Sequence, residues 1–181
     1  GPGNNIHRTP YGGRNFEYYS EDGFLSGMMS AYEVAAIQEK GVHVVMKHFA
    51  LNDCEQDRIG LGVWINEQAA REVYLKAFQA PIEVGNGNGV MIAYTRWGAV
   101  WSGGNAGLVN GILRGEWGCD GMVITDNVLN VYVNGPDGVL AGVSIYDAMM
   151  PYVTDKLPEY KNDGVIVSAM PVSYTHLRAH E

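Results

Sequence analysis

Four short apolar, β-branched runs in this chain each hand over to a polar or ionisable side chain, and helical stripes separate the runs. The clearest is Met122-Val-Ile-Thr125, which follows a Gly-rich turn and stops at Asp126. Such a run reads as a buried strand. Val42 to Met46 leads directly into Lys47-His48, and Val90 to Ala93 ends at Tyr94. Gly1 to Ile6 runs into Arg8 and the segment Tyr11-Gly-Gly-Arg-Asn15. Taken singly, Asp126 also suits a helix cap or a turn; Lys47 suits a solvated strand end, His48 a satisfied core histidine and Arg14 a loop ion pair. Unrelated caps, however, are not expected to fall at the same end of four strands. In parallel α/β folds the chemistry gathers outside the carboxyl ends of the strands.

The stretches between the runs read as helices. Ser20-Glu-Asp22 opens an apolar periodic segment through Leu25, Met28, Met29, Tyr32, Val34 and Ile37, which predicts a helix closed by Gly41. Asn66 caps a second helix over about 66–84, with Leu75, Phe78 and Ile82 on its stripe. Further helices are expected over about 105–117 and 137–150, and a loop over about 49–63. Gly85-Asn-Gly-Asn-Gly89 is a turn signal before Val90. Alternating strands and helices imply an α/β fold, a parallel sheet with crossover helices. A closed eight-stranded barrel takes ~250 residues, so four units in 181 residues make an open sector.

Composition narrows the function. A hydrophobic content of 46% supports a sizeable core, and 24 glycines suit many tight βα connections. The net charge of −8 argues against a nucleic-acid partner, and no apolar stretch is long enough to span a bilayer. Cys54 and Cys119 stand far apart, outside any redox or zinc spacing. The five histidines are scattered, without a His-Glu-x-x-His pattern, so neither a metal nor a cofactor is expected.

Five stretches resemble the catalytic barrel of glycoside hydrolase family three, which includes β-glucosidases and β-xylosidases. They are Gly1-Pro-Gly-Asn-Asn-Ile-His-Arg8, Gly13-Arg-Asn-Phe-Glu-Tyr-Tyr-Ser-Glu-Asp22, Lys47-His-Phe-Ala-Leu-Asn-Asp53, Ala70-Arg-Glu-Val-Tyr-Leu-Lys76 and Leu113 to Asp126. They stand in the family's order over roughly residues 1–135. The resemblance implies that residues 1–170 are part of a (β/α)8 TIM-type barrel whose earlier strands lie upstream of Gly1. It places Asp126 at the family's nucleophile, Lys47-His48 at its substrate-binding pair, Arg14 at its sugar-binding arginine and Tyr94 at a tyrosine beside the nucleophile. The implied activity is that of a retaining β-glycosidase acting on a β-glucoside-like carbohydrate through a covalent glycosyl-aspartate intermediate. The family's acid/base usually comes from a second domain of the parent protein, and none is expected here. Glu17, Glu21, Asp22, Glu55 and Glu116 read as structural, in ion pairs or at a helix N-terminus.

Three positions depart from the family pattern. Asn127 follows the nucleophile where the family usually has Trp, Cys54 stands where Gln is common, and Ala141-Gly-Val-Ser144 ends in Ser rather than Asp. These bear on specificity and leave two rivals open. One is a Schiff-base lyase using Lys47; the other is a carbohydrate-binding pseudoenzyme. Pro171 to Glu181 breaks from the preceding pattern and reads as a non-native tail that contributes no site residue. The sequence does not indicate a compartment; a cytoplasmic and a secreted parent are both compatible with it.

Overall fold

The apolar runs pair as the alternation requires, with helices crossing between parallel strands. The structure, a computed structural model, describes residues 1–128, 133–147, 159–165 and 168. A short 3-10 turn (Asn15–Glu17) precedes helix α1 (Gly23–Gln38) and strands β1 (Met46–Phe49) and β2 (Gly62–Val63). Helices α2 (Glu67–Ala69) and α3 (Lys76–Glu83) flank a π-helical segment, Ala70–Tyr74. Strands β3 (Gly89–Ile92), β4 (Arg96–Trp97) and β5 (Val100–Trp101) follow. A second π-helical segment (Gly107–Glu116) leads to strand β6 (Met122–Thr125) and helix α4 (Gly135–Ala141).

β1, β3 and β6 form a parallel sheet in that order. β3 pairs with β6 from Gly89↔Met122 to Ile92↔Thr125, and with β1 at Met46↔Val90 and Lys47↔Met91. Single bridges continue the sheet at both edges, Gly3 to Lys47 on one side and Ile145 to Ile124 on the other. The result is an open sector of a (β/α) barrel. Its core centres on Phe49, fully buried and packed edge-on against Phe78 at 5.3 Å and Trp117 at 6.0 Å between ring centroids. One side chain from β1 thereby ties the strand to the helices on either side of β3.

Four features differ from the expectations. β1 begins at Met46 rather than Val42, because its ladder with β3 opens at Met46↔Val90; Lys47 and His48 therefore lie within the strand. Asp22 does cap α1, accepting from the Leu25 amide at 2.6 Å, but the expected apolar stripe is not the buried face. Leu25, Met29 and Tyr32 are exposed, whereas Gly23, Ser26, Gly27, Ser30, Ala31 and Val34 are buried. Small residues win that face because α3 approaches so closely that a Cβ on Gly27 would stand 2.9 Å from the Lys76 carbonyl oxygen. The helix expected over 137–150 ends at Ala141, where Gly142 takes a left-handed conformation at φ 102°; residues 148–150 lie outside the described residues. Finally, β2, β4 and β5 form a second small sheet that no periodicity announced. The tail expected over 171–181 also lies outside the described residues.

Candidate active site

β6 ends at Thr125, and Asp126 is the first residue beyond it, its carboxylate almost buried at 8% exposure. The Asn127 amide donates to its Oδ1 at 2.8 Å, which fixes one oxygen. Its Oδ2 stands 3.7 Å from Arg58 Nη1 and 3.7 Å from His48 Nε2. Arg58 lies with its guanidinium 4.5 Å above the Tyr94 ring, a cation–π contact that orients it toward the carboxylate. The Tyr94 hydroxyl donates to the Asn127 carbonyl at 2.7 Å. Burial, and next the Asp126 charge, push that phenol up to about 12, so it stays protonated at neutral pH.

His48 is 2% exposed within β1. Burial, followed by the charges of Arg14, Lys47 and Arg58, drives its pKa down to about 2, so the ring is neutral. Arg14 Nη1 lies 3.0 Å from its Nε2, while Arg14 Nε donates to Glu17. Burial disfavours the Arg14 charge, but the Glu17 hydrogen bond together with the charges of Glu17, Tyr18 and Glu55 outweighs it and holds the guanidinium above its ordinary range. Lys47 Nζ reaches the other Glu17 oxygen at 3.1 Å. Burial alone would raise the Glu17 pKa; hydrogen bonds from Arg14 and Lys47 reverse that and lower it.

The structure thus brings all five sequence-predicted residues together, directly or through a shared neighbour. Arg14 touches His48, His48 faces Asp126, Asp126 and Tyr94 share Arg58 and Asn127, and Lys47 shares Glu17 with Arg14. A carboxylate at a strand end with a guanidinium beside it can attack an electrophilic carbon, and the Arg14, Lys47 and His48 side chains nearby offer partners for hydroxyl groups. Among the described residues, no cluster of three His, Cys, Asp or Glu side chains is placed to hold a metal ion.

Residues 2–140 match the model of the glycosyl hydrolase family 3 N-terminal domain. The chain belongs to glycosyl hydrolase family 3. It is 42% identical over 135 residues to a β-glucosidase of Ruminococcus albus, covering 75% of this chain and 14% of that protein. It is 43% identical over 126 residues to an exo-α-(1→6)-L-arabinopyranosidase of Bifidobacterium longum, covering 70% of this chain and 17% of that one. Among solved structures, β-glucosidase 3B from Thermotoga neapolitana in complex with glycerol superposes with a TM-score of 0.86 at 31% identity, over 99% of this chain and 26% of that chain. The family 3 β-glucosidase of Bifidobacterium adolescentis gives 0.84 at 33%, over 99% and 27%. The chain therefore spans about a sixth of the length of these curated relatives.

Within this family 3 barrel sector, sequence reasoning missed Arg58. It lies in the loop after β1, where no hydrophobic period marks a position. The available signal was its spacing from Glu55: the pair is i,i+3 and closes at 3.3 Å. Glu17 and Glu55, read as ion-pair residues, are that. Glu17 bridges Arg14 and Lys47, and Glu55 binds Arg58 and accepts from Asn52 Nδ2 at 2.9 Å. Glu116 pairs with Arg71 on the surface. Ser144 packs against the Arg114 guanidinium behind β6, and the Ser144 amide bonds the Val123 carbonyl at 2.8 Å.

Proposed function

We propose that this chain is the nucleophile-bearing sector of the catalytic barrel of a retaining β-glycosidase acting on β-glucoside-like substrates. Asp126 attacks the anomeric carbon and forms a covalent glycosyl-aspartate intermediate that water then hydrolyses. The observation that carries this reading is the Asp126 carboxylate at the end of β6, oriented through one oxygen and faced by Arg58 and His48 through the other. Arg14, Lys47 and His48 hold sugar hydroxyls, with Glu17 fixing the two cations. Tyr94 acts at the floor of the site, where its hydroxyl and ring hold Asn127 and Arg58.

Retaining chemistry also needs a protonated carboxyl ~5–5.5 Å from the nucleophile. Glu17 does not fit, because its pKa is lowered rather than raised. Glu55 is tied to Arg58 and Asn52. Asp53 is raised to about 7 by burial, but its carboxyl accepts from the Ile6 amide at 2.9 Å, a bond between the opening segment and the loop after β1. The family resemblance assigns the acid/base to a second domain of a longer parent protein, which would also supply the remaining strands. The short share of each relative that the chain covers supports this.

The Schiff-base alternative loses ground to geometry. The Lys47–Glu17 ion pair at 3.1 Å is one that a nucleophilic lysine would have to give up. Incubating the full-length parent with a 2-deoxy-2-fluoro-β-glucoside should add one glycosyl mass to the peptide containing Asp126. Labelling elsewhere, or none in an enzyme that turns over, overturns the assignment.

A further inference from the structure

Arginine presents only N–H donors. The 3.0 Å approach of Arg14 Nη1 to His48 Nε2 is attractive only if Nε2 offers its lone pair. A neutral imidazole arranged this way carries its proton on Nδ1. On that side the Tyr18 hydroxyl oxygen lies 3.4 Å from Nδ1. Tyr18 is buried at 7% exposure, and its hydroxyl is held by one residue twice over. It donates to the Asn52 carbonyl at 3.2 Å and accepts from Asn52 Nδ2 at 3.2 Å. With its proton committed to Asn52, the oxygen keeps a second lone pair, and that lone pair faces Nδ1–H.

We propose that Tyr18 is a positioning residue: anchored by Asn52, it fixes His48 in the Nδ1–H tautomer, so that Nε2 faces Arg14 and Asp126 as an acceptor. In the other tautomer, Nε2–H would oppose the N–H groups of Arg14 at 3.0 Å. The same N–H would also point toward Asp126 Oδ2, 3.7 Å away, and compete for the oxygen proposed for attack. Tyr18 therefore selects which of two charged neighbours the imidazole serves. Burial raises the phenol above its ordinary pKa, and this keeps the Tyr18 proton on Asn52 at working pH. The consequence for turnover rests on the proposed roles of Asp126 and Arg14, whereas the tautomer itself does not.

Nitrogen-15 shifts of imidazole-labelled histidine separate the two tautomers directly. In the 181-residue chain, with the His48 signals assigned by their loss in His48→Gln, Nδ1 should be protonated and Nε2 bare. Tyr18→Phe keeps the ring and removes the acceptor, and should move His48 toward the Nε2–H form. In the full-length parent the same variant should lower kcat/KM roughly five- to tenfold, the scale of one lost hydrogen bond. Most of that change should fall on KM, because Arg14 is the group released. An Nε2–H tautomer in the unsubstituted chain overturns the proposal whatever the turnover. An unchanged tautomer in Tyr18→Phe removes Tyr18 from the role. The expected tautomers together with failed fluoroglycoside labelling would leave Tyr18 in place and remove the glycosidase reading instead.

Discussion

Asp126, the proposed nucleophile, sits almost buried at the end of β6. The Asn127 amide holds one oxygen of its carboxylate, and the Arg58 guanidinium stands 3.7 Å from the other. Removing that carboxylate should separate binding from chemistry. In the full-length parent, Asp126→Ala should reduce kcat by several orders of magnitude while sugar affinity, measured by calorimetry, persists through Arg14, Lys47 and His48; retained turnover would move the nucleophile elsewhere. Asp53 offers a different residue-scale test. Its carboxyl, ordinarily at 3.8, is raised to about 7 by burial, with the Ile6 amide and the Arg8 charge opposing. Between about pH 4 and 7 the folded chain keeps a proton that the unfolded chain has lost, so this group's contribution falls as pH rises through that window. Asp53→Asn keeps the acceptor for Ile6 and removes the titration. It should stabilise the chain at pH 7.5 relative to pH 4.5 by on the order of 1–4 kcal/mol, read as a shift in denaturation midpoint. Asp126 was legible because a four-residue apolar strand stops at it. Arg58 was not, because a loop position beside a site has no period and no cap to mark it.

Elements were legible where hydropathy and backbone geometry agree. β6 falls where its apolar run predicts, and the stretch from Glu67 to Glu83 follows its stripe despite the π-helical interruption. α1 shows the opposite case. Its large apolar residues suggested the buried face, but close approach to α3 selects the side with the smallest side chains. Hydropathy scores a side chain's affinity for water and is blind to how near two helix axes must come. Gly27→Val puts that to measurement: the new Cβ would lie 2.9 Å from the Lys76 carbonyl oxygen and 3.1 Å from the Ala80 Cβ. Forced separation of the helices should cost about 1–3 kcal/mol in urea unfolding, whereas Leu25→Ala on the exposed side should cost well under half of that. Equal losses would mean that the packing is not set by the small-residue face. The two-residue strands of the β2–β4–β5 sheet lie below the length at which any alternation registers, and only the pairing itself reveals them.

Among its described residues the molecule is an open sector of parallel sheet, β1–β3–β6. Single bridges at Gly3 and Ile145 stand where full neighbouring strands would pair in a closed barrel, and unpaired strand edges template association. The same openness bears on chemistry. The proposed nucleophile has Arg58 beside it, but among the described residues no acid partner for it is assigned, and general acid–base help is typically worth ~10²–10⁴ in rate. The 181-residue chain should therefore show negligible turnover of aryl β-glucosides while its full-length parent turns them over. It should also self-associate with rising concentration in light scattering, an effect that pairing with the rest of the barrel would suppress. Parent-like turnover by the chain alone would require an acid within it; Asp53, with its raised pKa, would then be the first residue to substitute, followed by Glu17 and Glu55.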